Sequence, residues 1–120
     1  MIKGLRGASI WSEDLTKSLL PFYRDTMGLK VGMETPGFVL LGEPGGVTLA
    51  LGTHSDVHGK NADSARHMVA LDVDDVRAES ARLKAAGVEI VQEPNDVGNG
   101  LTMATIRDPE GNLVQLTQFG

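Results

Sequence analysis

The sequence predicts an α+β protein made of two βαβββ repeats, whose curved mixed sheets surround a cleft. Three observations carry that prediction. A strand–helix–strand pattern occurs twice, in GASIWSEDLTKSLLPFYRDTMGLKV (residues 7–31) and in MVALDVDDVRAESARLKAAGVEI (68–90). Each copy runs on into three short apolar segments punctuated by Gly. A polar, unpatterned stretch, THSDVHGKNADSA (53–65), separates the copies. Neither half alone can bury both faces of its sheet, whereas two halves together can. The expected organisation is one domain over 1–120, with repeat one at 1–52, a connector at 53–65 and repeat two at 66–120.

In the first strand, alternation places Gly7, Ser9 and Trp11 on one face. Asp14 is suited to cap the helix that follows, and Gly28 to end it. Pro21 falls inside that helical pattern and removes a backbone donor, which predicts a bend or a late start. Strands are expected near 30–34, 38–42 and 47–52, with GEPGG (42–46) as a turn. In the second copy Asp75 and Gly87 take the capping roles. Val76, Ser80 and Leu83 trace the buried stripe of its helix, with Ala81 and Ala85 close by. Strands are expected near 89–93, 101–107 and 113–118, with GNG (98–100) as a turn. Asp108-Pro109-Glu110-Gly111 is a turn sequence. Beyond it Leu113, Gln115 and Thr117 alternate with Val114 and Leu116, so Gln115 is expected to face the cleft.

Composition narrows the function. The 120 residues suffice for one real core. Lys and Arg number 11 against 16 Asp and Glu, a formal charge of −5 with no basic cluster, so nucleic acid is not an expected partner. No apolar run is long enough to span a membrane, and no leader pattern precedes the first strand. The absence of Cys removes disulfides and thiolate chemistry and suits a cytoplasmic setting. GEPGG and GNG open no helix and are not phosphate cradles. No Ser-His-Asp arrangement can be argued. His54 and His58 are four apart, but in a loop sequence that offers no third metal ligand.

The doubled unit, the EDL…FYRDTMGL stretch and the closing RDPEGNLVQL resemble the vicinal oxygen chelate superfamily. That group holds glyoxalases, extradiol dioxygenases, fosfomycin-resistance enzymes and bleomycin-resistance binding proteins. The resemblance covers nearly the whole chain and implies the glyoxalase/bleomycin-resistance fold and a homodimer. It does not by itself imply a chemistry, since one scaffold carries many functions. Metal-dependent members hold their ion at four cavity-facing strand positions. By resemblance these fall here on Gly7, Ala50, Met68 and Gln115, which offer no imidazole and no carboxylate. His67, beside Met68, is the weak metal candidate, and a slip of one residue would turn it to the other face.

The expected function is therefore a metal-free protein of the bleomycin-resistance kind. It would sequester a small aromatic or amphipathic organic molecule without a cofactor. The expected ligand contacts are Trp11, Ser9, Met68, Asp72, Met103 and Gln115. Trp11 offers a flat apolar wall with room before Gly7. Gln115 offers a neutral amide that donates and accepts hydrogen bonds. Met33, Met68 and Met103 could adapt to varied ligands, and Asp72 could meet a cation. Ordinary core or dimer packing is the alternative for Trp11, and a satisfied polar residue the alternative for Gln115. The competing functions are a metal-dependent lyase, isomerase or oxygenase, and a structural or regulatory dimer without a ligand.

Overall fold

A computed structural model describes residues 1, 3–43 and 45–120 of the chain. Pro44 of the expected GEPGG turn thus lies outside the described residues. The chain forms two compact units, Met1–Gly59 and Lys60–Gly120.

The first unit is a four-stranded sheet in the order β1-β4-β3-β2, from β1 (Gly7–Ser12), β2 (Val31–Thr35), β3 (Phe38–Leu41) and β4 (Thr48–Thr53). β1 runs parallel to β4, and the other pairings are antiparallel. The β2–β3 turn is Pro36-Gly37, where Gly37 takes a φ of 79°. Ile10, Val39, Leu41, Leu49 and Leu51 are buried, as are Leu15, Leu19, Leu20, Phe22 and Tyr23 of the crossover. Phe22 and Tyr23 meet edge to face, centroids 4.9 Å apart. Each such side chain contributes roughly 1.5–3 kcal/mol by leaving water.

The crossover helix departs from the expected start at Asp14. Residues 15–18 form a turn instead, and Asp14 accepts hydrogen bonds from the Thr16 N–H and hydroxyl at 3.0 and 2.6 Å. Pro21 explains the rest. It cannot donate to the fourth carbonyl back, and its ring crowds that carbonyl. The chain responds with wider turns: Leu20 N–H bonds to Leu15 C=O at 2.9 Å, and Met27 N–H to Phe22 C=O at 2.8 Å, each five residues back. Pro21–Thr26 is consequently a π-helix.

The second unit repeats the topology. Its order is β5-β8-β7-β6, from β5 (Val69–Asp72), β6 (Glu89–Gly98), β7 (Leu101–Arg107) and β8 (Leu113–Phe119), again with the outer strand β5 parallel to β8. The helix α1 (Val76–Ala85) packs on β6, β7 and β8. Asp75 caps it by accepting from Ala78 N–H at 3.1 Å. At the other end Gly87 takes a φ of 89°, and the Val88 and Gly87 N–H groups return to Leu83 and Lys84 at 3.0 Å. Val76, Ser80 and Leu83 are buried as expected, but Ala81 and Ala85 are exposed on the other side of the helix. β6 is longer than the expected 89–93. It contains Pro94 and survives because it is an edge strand whose bulges absorb the missing donor. Asn99-Gly100, with φ of 56° and 77°, closes the β6–β7 hairpin.

The Asp108 turn is tightly made. Its buried carboxylate accepts from the Glu110 and Asn112 N–H groups at 2.9 and 2.8 Å and from Asn112 Nδ2 at 2.9 Å. Asn61 ties the preceding segment to this turn through Asn112 Oδ1, at 2.8 Å.

Candidate functional site

In the second unit α1 packs on β6, β7 and β8, and in the first the buried Ile10, Val39, Leu41, Leu49 and Leu51 share one face of the sheet; the opposite face of each sheet is termed its open face. On the first sheet the pairing of Trp11 with Gly52, Ser9 with Ala50, and Phe38 with Gly52 puts these residues on the open face. Gly52 makes the arrangement possible. A Cβ there would stand 2.1 Å from Trp11 Cζ3, so the indole rests directly on the strand backbone. Trp11 Nε1–H donates to Ser9 Oγ at 3.2 Å, which fixes the ring within its plane. Phe38 lies beside it at 6.3 Å between centroids, tilted by 42°. His54 approaches edge-on at 5.6 Å and 82°. Although these rings surround it, Trp11 remains 39% exposed. The result is an aromatic platform of three rings, carried by β1 and β3 on either side of β4 and by the residue just past β4.

His54 is held at both ends. Its N–H continues the ladder to Ser12 C=O at 2.9 Å, and its Nδ1 accepts the Asp56 N–H at 3.0 Å. Sequence reasoning placed it in the connector and missed it. The signal available was parity: Ala50, Gly52 and His54 share a face for as long as the backbone stays extended. Phe38 and Gly52 were missed because only strand register brings them under Trp11.

On the second sheet, Ala70 pairs with Gln115 and Asp72 with Thr117, while Thr105 and Met103 face the same two residues from β7. Gln115 is half-buried there, and its amide has no partner among the described residues. Met68 lies just before β5 and is 39% exposed. Asp72 is exposed and Met103 half-buried. Met33 is an exposed residue of β2. Thus Ser9 and Trp11 come together on one sheet, and Asp72, Met103 and Gln115 on the other.

The groups with displaced pKa lie elsewhere. Hydrogen bonds from Thr16 hold Asp14 below the usual carboxylate range. In the π-helix the Arg24–Asp25 pair lowers Asp25 and raises Arg24. Two surface grooves lie away from the platform: one between α1 and β6, where Lys84 and Glu93 pair with each other, and one beside the β2–β3 turn with Glu34 in its lining.

The comparisons with known proteins agree on family. The model of the Glyoxalase/Bleomycin resistance protein/Dioxygenase superfamily matches residues 7–116. A Neisseria meningitidis protein named lactoylglutathione lyase is 30% identical over 115 residues, covering 88% of this chain and 83% of its own. A superfamily member from Sphaerobacter thermophilus superposes with a TM-score of 0.74 at 25% identity, covering 98% of both chains. TnmS3, an antibiotic binding protein from Streptomyces sp. CB03234, superposes at 0.73 with 23% identity, over 99% of this chain and 98% of its own. The α+β fold with two four-stranded mixed sheets matches these neighbours.

These relatives correct the expectation that no cofactor is used, because homologues named lactoylglutathione lyase imply a divalent metal cofactor. The residues of this chain do not fit such an ion at the positions the resemblance assigns. Ala50, Met68 and Gln115 supply no anionic or imidazole donor. At Gly7 a Cβ would meet the Thr48 carbonyl oxygen at 1.9 Å, so the backbone as folded admits no side chain there. His67 is exposed in the bend before β5, and no group of three His, Cys, Asp or Glu gathers as a metal site among the described residues. No chemical step is therefore routed through a metal.

Proposed function

The chain belongs to the Glyoxalase/Bleomycin resistance protein/Dioxygenase superfamily, and from that premise we propose that it binds a small planar organic molecule on the Trp11 platform. The observation that carries this reading is the exposed indole seated on Gly52 and flanked by Phe38 and His54. A large aromatic side chain with only two rotatable bonds, already seated on the strand, loses little freedom when a ligand stacks on it. Trp11 and Ser9 are the contacts on this face. The same reading gives Met68, Asp72, Met103 and Gln115 ligand contacts on the second open face, where the amide of Gln115 can both donate and accept. The fold shared with TnmS3 is compatible with such a role but, at 23% identity, is a likeness of fold alone.

The test is a titration of the single Trp with planar antibiotics and aromatic metabolites, followed by calorimetry on variants. Trp11→Ala should weaken a bound ligand by about 2 kcal/mol, roughly thirty-fold. For a ligand held on the open face of the second sheet, Gln115→Leu should cost about 1 kcal/mol. Unchanged affinity in Trp11→Ala would remove the platform from ligand binding, and unchanged affinity in Gln115→Leu would remove the open face of the second sheet.

A second reading comes from the curated relatives, 30–31% identical over 88% of the chain: a lyase of the lactoylglutathione class. Lactoylglutathione turnover by the purified protein, measured with added divalent metal, decides for or against it.

A further inference from the structure

We propose that His54 selects, among planar molecules, those carrying a hydrogen-bond acceptor at the ring edge, such as a ring carbonyl. The inference rests on the aromatic platform described above and names the ligand class it takes. Its first ground is the tautomer. Nδ1 accepts the Asp56 N–H at 3.0 Å, so in the neutral ring the proton resides on Nε2. The second ground is that Nε2 is left over. His54 is exposed, and Nε2–H meets no acceptor among the described residues. The third is place. The imidazole meets Trp11 at 5.6 Å between centroids with the ring planes 82° apart, so it stands beside the indole on which a ligand would stack. Trp11 Nε1–H, the other ring donor in the cluster, is already committed to Ser9. One donor therefore remains for the ligand, and its position is fixed by the backbone of residue 56 rather than by a mobile chain.

A donor held in place discriminates strongly, because a ligand without an acceptor leaves that N–H unpaired as water is displaced. The experiment uses two planar tricycles, acridone with a ring carbonyl and carbazole without an acceptor. Each is measured by equilibrium dialysis against wild type, His54→Phe and Trp11→Ala. His54→Phe keeps a ring against the indole and deletes the donor. The expected result is acridone binding about tenfold weaker to His54→Phe than to wild type, with carbazole changed less than twofold, and both probes bound about thirtyfold more weakly by Trp11→Ala. Acridone binding wild type and His54→Phe equally, while Trp11→Ala binds it more weakly, overturns the role of His54 and leaves the platform standing. Failure of both probes to bind wild type, or their undiminished binding to Trp11→Ala, overturns the platform and this inference with it.

Discussion

Gly7 and Gly52 lie in neighbouring strands and lack side chains for different reasons. A Cβ at 7 would strike backbone, the Thr48 carbonyl oxygen at 1.9 Å, whereas a Cβ at 52 would strike the far end of the Trp11 side chain. The backbone cannot yield cheaply and the exposed indole can. Gly7→Ala should therefore destabilise the protein on the order of 1–3 kcal/mol, as overpacking does. Gly52→Ala should cost little stability yet displace the indole. Thermal unfolding should show a lowered midpoint only for Gly7→Ala, while Trp fluorescence in the native state should shift only for Gly52→Ala. Equal midpoints for the two variants would contradict the distinction. An imidazole placed at position 7, one of the positions the resemblance assigns to a metal ligand, meets the same obstacle as Ala, because β1 packs its backbone against β4 there.

The two crossover helices show how similar sequence signals reach different structures. Both copies begin with an acidic residue of capping type. Asp75 caps α1 from Ala78 N–H, but Asp14 turns its carboxylate to Thr16, because Pro21 forces the helix to start late. Asp75→Ala should cost about 1 kcal/mol, measured by urea unfolding. Asp14 acts through its charge. Its pKa is lowered from an ordinary value near 3.8, so its contribution is present above that value and lost as the pH falls through the lowered one. Asp14→Asn should thus be less stable than wild type at neutral pH, and the gap should close in strong acid. A gap independent of pH would show that hydrogen-bond geometry alone, not charge, is at work. Pro21 was visible in the sequence as a disturbance. The π-helix it produces was not, since periodicity reports which residues are apolar and not how far each hydrogen bond reaches back.

At the scale of the whole chain, the doubled topology was legible because it is written in alternation, caps and turn residues, all of them local signals. The strand order is the same in both units, and Ser9 shares a sheet face with Trp11, and Gln115 with Thr117, as alternation predicts. The platform was only half legible. Trp11 stood out as the single Trp, but its support on Gly52 and its neighbours Phe38 and His54 depend on register between strands that are distant in sequence. The cofactor expectation failed for a different reason. It was read from four positions in one chain, and relatives at about 30% identity overrule such a reading. No helix among the described residues is long and apolar enough to cross a membrane. The central claim is that the exposed indole and the rings beside it receive the ligand. Nuclear magnetic resonance of nitrogen-15-labelled protein tests this most directly, because the chain has one Trp and so one indole N–H signal. On adding a planar ligand that binds, the account predicts that the Trp11 Nε1–H signal and the backbone amides of Gly52, Phe38 and His54 shift together at one saturating concentration. Binding that moves other amides, such as those of α1, and leaves the Trp11 indole signal in place would contradict it.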